Sequence, residues 1–322
     1  MKRKVKVYML PCRTWFPLVL TGAGVSGMMG CGLSVRPLPE EEILTHGPRD
    51  HFIEIQGVRF HYLEYPGKGV PVFLLHGFAS STYTWGGVIP HLTEAGYPVW
   101  ALDMKGFGWS DKPQHAAYDP LTLMEEVNQW MEAVGLRKVV FVGNSLGGAI
   151  GWLMALEHPD KVGRLILVDA AGYPIQKPFP INMAAFPLAG PVIKLFFSRA
   201  WVRRGLKKVY YHKDWVTETQ VTAYLDRLRA HNGLDAQVAV ARALDPEGLE
   251  AYIRKIPSIP QETLLIWGRE DEWIPLDKVG RRFNREIPRS RLAVIQECGH
   301  IPQEEHPEKT ARLIKRFVLS VP

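Results

Sequence analysis

The sequence predicts an α/β fold, a doubly wound and mostly parallel sheet of eight strands with a helical cap inserted into it. Short apolar stretches alternate with longer helix-like ones, as in repeated strand–helix units. Many of the short stretches are apolar throughout, which is typical of strands buried on both faces of a parallel sheet. These stretches are Pro71–Leu75, Val99–Leu102, Val139–Val142, Leu165–Val168, Leu264–Trp267 and Leu292–Ile295.

The remaining two strands come first in the chain. Phe52–Gln56 and Val58–Tyr65 flank Gly57, which indicates a hairpin. Helices are expected where apolar residues recur with helical spacing after the later strands. The predicted helices of the core are Leu121–Val134, Leu146–His158 and Pro307–Leu319.

Residues 173–260 interrupt the alternation, because no buried strand is predicted there. Phe179–Phe197 is apolar, with Lys194 as its only charge, and Ala200–Ala243 is charged, aromatic and helix-like. We therefore predict a helical cap over 173–260, between core segments 51–172 and 261–322. Long insertions of this kind are usually functional, so a lid is expected, with mere surface decoration as the alternative.

The N-terminal 31 residues have the pattern of a targeting segment. A basic start precedes an apolar stretch around Trp15–Leu20 and small residues before Cys31. A bacterial lipoprotein signal with Cys31 lipidated is the preferred interpretation; an uncleaved membrane anchor and an ordinary signal are the alternatives. Residues 32–50 are predicted to be a polar tether. We therefore expect a protein held at a membrane of the bacterial cell envelope, with its domain outside the cytoplasm.

The charge and cysteine content agree with this organisation. Five of the basic residues precede residue 31 and no acid does, so the net charge of +6 belongs mostly to that segment. A nucleic-acid partner is not expected, since binding would need a basic face on the folded domain. Cys12, Cys31 and Cys298 are the three cysteines. After cleavage and lipidation only Cys298 would stay free, so no internal disulfide is expected.

The predicted nucleophile is Ser145. Gly143-Asn144-Ser145-Leu146-Gly147 follows an apolar strand and opens a helix, the context in which G-x-S-x-G carries chemical meaning. The glycines permit a sharp turn that exposes the hydroxyl at a helix N-terminus, where the helix dipole favours negative charge.

A serine hydroxyl needs a base, and His300 is the predicted one. It follows the last strand, as expected for the chain order serine, acid, histidine. Structural roles are expected for the other histidines near motifs or helix ends, His76, His158 and His306.

The predicted acid is Asp271, in the loop after the strand Leu264–Trp267. It would orient the imidazole and stabilise its charged form. Three other carboxyl groups are alternatives: Glu270 and Glu272, which flank Asp271 in the chain, and Asp169, at the end of an earlier predicted strand.

Backbone N–H groups are expected to hold the oxyanion of a tetrahedral intermediate. The N–H of Leu146 is one by its position after the nucleophile. The N–H of Phe78, in the His76-Gly77-Phe78 turn after another strand, is the second.

With these positions assigned, the chain resembles the α/β-hydrolase superfamily from about residue 52 to its end. The motifs that carry the resemblance are His76-Gly77-Phe78, Asp103–Asp111, Gly143–Gly148, Gly268–Pro275 and Gly299–Glu305. Some of them are also similar to those of hydrolases that cleave C–C bonds in aromatic ring-fission products. The resemblance implies a serine hydrolase, and no cofactor or metal is expected.

Carboxylic ester hydrolysis is the predicted reaction, through an acyl-Ser145 intermediate. The apolar insertion and the predicted anchor favour ester or lipid substrates with medium or long acyl chains, as in lipases and phospholipases.

C–C bond hydrolysis of ring-fission products is the alternative reaction. Such enzymes usually carry Trp or Phe after the catalytic histidine, where this chain has Ile301, and a cap arginine that binds the acidic substrate. The candidates for that arginine are Arg203, Arg204, Arg227 and Arg229. A non-catalytic, membrane-attached binding protein is a further alternative, disfavoured by the complete set of catalytic residues.

Overall fold

The computed structural model describes residues 49–176, 182, 186, 189–244 and 247–320. The predicted signal or anchor of residues 1–31, the lipidation site Cys31 and nearly all of the tether lie outside them. Asp50, the last tether residue by prediction, already belongs to the first strand and pairs with Leu63. Within the described part of the chain, no helix is both long enough and apolar enough to cross a membrane.

Eight strands form one sheet in the order β1-β2-β4-β3-β5-β6-β7-β8. β2 runs antiparallel to both β1 and β4, and every other neighbouring pair is parallel. The predicted α/β class with an eight-stranded, mostly parallel sheet is therefore confirmed. The strands are β1 Asp50–Ile55, β2 Val58–Tyr65, β3 Val72–Leu75, β4 Val99–Leu102, β5 Val139–Asn144, β6 Val162–Val168, β7 Thr263–Gly268 and β8 Ser290–Ile295.

The central strands are buried on both faces because successive side chains point to opposite sides. In β3, Phe73 and Leu75 belong to one hydrophobic cluster, whereas Val72 and Leu74 belong to the cluster on the other side. The continuous apolar run that predicted this strand therefore supplies two cores at once.

Helices cover the sheet and form the insertion between β6 and β7. Asp119 caps the helix Pro120–Ala133, since its carboxylate accepts the N–H of Thr122 at 3.0 Å. The helices are α1 Ile89–Thr93, α2 Pro120–Ala133, α3 Leu146–Glu157, α4 Ala189–Phe196, α5 Arg199–Val209, α6 Glu218–Arg229, α7 Gly233–Ala243, α8 Glu250–Ile253, α9 Gly280–Glu286, α10 Pro302–Glu305 and α11 Pro307–Leu319.

Between β6 and β7 the described residues of the insertion form helices joined by loops, without a strand, and they have their own small core. Thr217 and Gln220 form a capping box that starts α6. The buried members of the cap core are Phe197, Val202, Leu206, Val221, Leu225, Leu228 and Leu234. The cap is therefore a packed unit that can position side chains above the sheet.

Candidate active site

Ser145 stands on the turn between β5 and α3 with torsion angles φ 53° and ψ −115°. A positive φ is strained for a residue with a side chain and is found mostly at functional sites. The flanking glycines are required by crowding. A Cβ on Gly147 would lie 2.4 Å from the Leu75 carbonyl oxygen, and one on Gly143 would lie 2.2 Å from the Gly147 carbonyl oxygen. The predicted nucleophile thus occupies a tight strand-to-helix turn.

His300 and Asp271 form a buried pair in which Nδ1 and Oδ2 lie 2.8 Å apart. The other oxygen of Asp271 accepts the N–H groups of Trp273 at 2.7 Å and Ile274 at 3.0 Å. A carboxylate at Nδ1 favours the tautomer that leaves Nε2 free to act as the base. Ser145 lines the same cavity as His300. No hydrogen bond joins Ser145 and His300 in the described structure, and such bonds are often long without substrate.

The three alternative acids occupy other environments. Glu270 accepts a backbone N–H from the loop after β8, and Glu272 is exposed. Asp169 is buried behind Asp271 and accepts the N–H of the last residue of β7 at 2.9 Å. Among the described residues, Asp271 is therefore the acid that holds His300.

The other three histidines have structural partners. The Nε2 of His76 accepts the Met104 N–H at 3.2 Å, and its Nδ1 donates to the Gly77 carbonyl at 2.8 Å. Burial lowers the pKa of His76, which keeps the ring neutral in this role. His158 contacts a surface glutamate, and His306 bonds a backbone carbonyl.

Phe78 and Leu146 line the cavity beside the nucleophile. Within the described residues, no protein acceptor is found for the backbone N–H of either one. The turn that carries Phe78 is held from the cap, because Gln237 of α7 accepts the Ala79 N–H at 3.2 Å. Two free donors next to a serine can bind a developing oxyanion.

The cavity above Ser145 has a volume of about 470 Å³, within the usual range for small-molecule sites. Its wall is mostly apolar and comes from both the core and the cap. Arg204 and Lys208 of α5 are exposed and line the same cavity. The site therefore combines an apolar chamber with two cations.

The sequence did not predict how the cap is attached to the catalytic loop. The backbone N–H of His300 donates to the Val209 carbonyl at 2.8 Å. Glu304 of α10 accepts the hydroxyls of Tyr210, at 2.9 Å, and Tyr224. Gly299–Glu305 is recognisable as a motif, but the sequence does not predict the partners of its acids. These hydrogen bonds attach the cap to His300, the predicted base, and to the helix that follows it.

One group of described residues brings together donor atoms of the kind that bind metals. An oxygen of Asp169, an oxygen of Asp271 and a ring nitrogen of His300 lie within 4.8 Å of one another. Most of these donors are already engaged with each other or with backbone N–H groups. The arrangement therefore fits an acid–base pair better than a metal site.

The site contains a nucleophile turn, a histidine–aspartate pair and two free backbone donors, and it lies at the carboxyl ends of parallel strands. These features define a class of protein, the α/β hydrolases with a serine nucleophile. The family model described as alpha/beta hydrolase fold matches residues 70–307. The chain belongs to this family.

Three relatives show where in the family the similarity lies. The chain is 31% identical over 260 residues to the 2-hydroxymuconate semialdehyde hydrolase of Pseudomonas sp. strain CF600, covering 78% of this chain and 88% of that protein. The structure of a meta-cleavage product hydrolase of Pseudomonas fluorescens IP01 matches with TM-score 0.70 and 29% identity, covering 83% and 97%. A membrane phospholipase A, described as a bacterial virulence factor, matches with TM-score 0.67 and 29% identity, covering 84% and 85%.

The prediction of carboxylic ester hydrolysis with medium or long acyl chains was wrong as the main interpretation. Hydrolases of ring-fission products recur among the named relatives, which supports the alternative reaction better. The physical reason is that ester and ketone carbonyls are attacked by the same catalytic residues, so the motifs do not distinguish them. Ile301 after the histidine and the apparent targeting segment are therefore poor guides to the reaction.

Proposed function

We propose that the protein is a serine-dependent hydrolase that cleaves a carbon–carbon bond beside a carbonyl group in an acidic ring-fission product. Its relatives support this proposal. They include the 2-hydroxy-6-oxo-6-phenylhexa-2,4-dienoate hydrolase of Comamonas testosteroni, 27% identical over 285 residues. A substrate of this class has an apolar end, a ketone and a carboxylate.

The observation that carries the proposal is the pair of cations on a mostly apolar cavity. Arg204 and Lys208 lie one helical turn apart on α5, so their side chains are neighbours. A neutral substrate needs no such pair, whereas the carboxylate of a dienoate gains a favourable charge interaction with it.

The other cap arginines are placed differently. Arg203 pairs with Glu218 on the cap surface, and Arg229 is exposed. Arg227 lines a smaller recess next to the cavity, with its guanidinium 5.1 Å from the Trp109 ring centre. Arg204 is therefore the cap arginine best placed to meet a substrate carboxylate.

The proposed reaction uses both steps of serine hydrolysis. His300 takes the proton of Ser145, the oxygen attacks the 6-oxo carbonyl, and the N–H groups of Phe78 and Leu146 stabilise the oxyanion. The adjacent C–C bond then breaks. Its electron pair is delocalised into the conjugated chain of the 2-oxo tautomer, and His300 returns the proton to that fragment. Water, activated by His300, releases the acyl group from Ser145 as a carboxylic acid.

The first test is turnover of 2-hydroxy-6-oxo-6-phenylhexa-2,4-dienoate, followed through the loss of its conjugated absorbance. The double variant Arg204→Gln/Lys208→Gln is expected to raise KM about tenfold with little change in kcat, the effect of losing roughly 1.4 kcal/mol of binding free energy. The matched control, Arg203→Gln/Lys207→Gln, removes the same charge from positions of α5 that do not line the cavity.

Two results would contradict the proposal. One is a folded wild-type protein that fails to consume the dienoate. The other is an equal rise in KM for the two double variants, because a general loss of positive charge would then explain the effect.

A further inference from the structure

A second carboxyl group lies behind the histidine–aspartate pair. Asp169 follows β6 directly, is fully buried, and accepts the Gly268 N–H at 2.9 Å through Oδ1. Its Oδ2 is also buried, and no N–H or hydroxyl group donates to it within the described residues. An oxygen of Asp169 lies within 4.8 Å of an oxygen of Asp271 and of a ring nitrogen of His300. Two buried carboxylates this close repel each other, and the two groups can share a hydrogen bond only if one of them is protonated.

The hydrogen-bond donors are distributed unequally between the two acids. Asp271 accepts three hydrogen bonds, from His300 and from the backbone of Trp273 and Ile274, and these stabilise its anion. Asp169 accepts one backbone N–H. Burial and the neighbouring Asp271 raise the pKa of Asp169 well above its usual range.

The other titratable groups around Asp169 act in the same direction. Glu305 of α10 adds negative charge near Asp169, and Cys298, from the loop after β8, is also close enough to interact with it. Burial and the surrounding carboxyls raise the pKa of the Cys298 thiol, so it stays neutral and adds no charge. Among these described groups, His300 can become cationic, and it bonds Asp271.

We propose that Asp169 is a positioning residue that stays protonated and donates its O–H to Asp271. This bond holds the Asp271 carboxylate with Oδ2 toward His300. It also draws electron density from Asp271, so the His300 imidazolium gives up its proton more readily. The role rests on the proposed serine hydrolysis, but the protonation of Asp169 is a property of the resting protein.

Infrared spectroscopy of the resting protein tests the protonation of Asp169. It is recorded at about pH 8, which is far above the usual pKa of aspartate. The wild-type minus Asp169→Asn difference spectrum is expected to show the C=O band of a protonated carboxylic acid. The matched exposed control, Asp277→Asn, should show no such band. Lack of the band for Asp169→Asn would overturn the proposal, whether or not any dienoate is turned over.

The pH profile of kcat/KM tests the role in catalysis. The amide introduced by Asp169→Asn would retain a donor to Asp271 and an acceptor for Gly268, so the acidic limb of this variant should stay within about 0.3 pH unit of the wild type. Asp169→Ala removes the donor, and its acidic limb should move up by about 0.5 to 1 pH unit. A downward move in Asp169→Asn would show that an anionic Asp169 had been neutralised, and would overturn the proposal. If the alanine variant does not fold, the asparagine profile and the infrared spectrum decide.

Discussion

The nucleophile turn could be predicted residue by residue, because its requirements are local. A Cβ added to Gly143 or Gly147, the glycines on either side of Ser145, would lie too close to neighbouring backbone atoms. Chain order and the loop after a strand predict Asp271 as the acid, with Glu270, Glu272 and Asp169 as alternatives, and the structure shows that Asp271 is the one bonded to His300. The close approach of Asp169 to Asp271 could not be predicted, because it brings together two loops about 100 positions apart in sequence.

Gly147→Ala tests the turn itself. The added Cβ would lie 2.4 Å from the Leu75 carbonyl oxygen and 2.5 Å from that of His76, so the backbone must shift. We expect activity to fall at least about 100-fold, because a small displacement of the nucleophile is sufficient for such a loss. Gly190→Ala, where a Cβ meets nothing within 4 Å, is the control and should keep its activity. Wild-type activity in Gly147→Ala would disprove the steric argument.

Asp271→Asn tests the orientation of the base. Asparagine cannot accept the Nδ1 proton as a carboxylate does, so we expect kcat to fall about 10⁴-fold with KM little changed. Exposed Asp277, which pairs with Arg281, provides the comparison: Asp277→Asn should retain normal turnover. A loss below tenfold in Asp271→Asn would point to another acid as the partner of His300.

At the scale of elements, the strands were predictable because burial on both faces leaves a continuous apolar run. The start of β6 was missed: it begins at Val162, and Gly163 and Arg164 break the run. Arg164 is accommodated because its guanidinium donates to backbone carbonyls at the end of α11, including that of Val318 at 2.9 Å. Sequence periodicity cannot predict this partner, because it lies more than 150 positions away in the chain.

A buried charged cluster joins three strands and makes stability depend on pH. His61 of β2 contacts Asp103 after β4 at 2.7 Å and Asp50 of β1 at 2.8 Å. Burial opposes the charged imidazole, yet the charges and hydrogen bonds of Asp103 and Asp50 outweigh it, so the pKa of His61 is raised. A raised pKa contributes stability that is fully present below the unfolded value of 6.5 and is lost as pH rises through the folded value.

His61→Gln is therefore expected to lower the free energy of unfolding by about 3–5 kcal/mol near pH 6, since it breaks a buried ion pair. The difference from the wild type should shrink as the pH is raised toward about 9. Urea unfolding of both proteins across this range measures it. A difference that grows with pH would mean that His61 is neutral in the folded protein.

At the scale of the whole molecule, the cap and the catalytic loop are connected. Glu304 bonds Tyr224 and Tyr210 of the cap, and Glu305 accepts the backbone N–H groups of Tyr211, at 2.8 Å, and His212, at 3.0 Å. These partners are 80 to 94 positions from the two glutamates, so no local pattern could predict them. The cap was predicted from its lack of strands, whereas its attachment to α10 required the structure.

Glu304→Ala tests this attachment. It leaves the hydroxyls of Tyr210 and Tyr224 without their acceptor, so we expect a loss of about 2–3 kcal/mol in the free energy of unfolding. Hydrogen exchange should also become faster in α5 and α6. Glu308→Ala, at an exposed position of α11, should change stability by less than about 0.5 kcal/mol. Unchanged exchange in the cap of Glu304→Ala would show that other contacts hold it.

The most direct test of the central claim is product analysis of 2-hydroxy-6-oxo-6-phenylhexa-2,4-dienoate treated with the wild type and with Ser145→Ala in ¹⁸O-labelled water. We predict that the wild type releases benzoate containing one labelled oxygen, from water that attacks the acyl-Ser145 intermediate. Ser145→Ala should be slower by at least about 10⁴-fold. Unchanged dienoate with the folded wild type, or equal benzoate release by the variant, would contradict Ser145-dependent C–C bond hydrolysis.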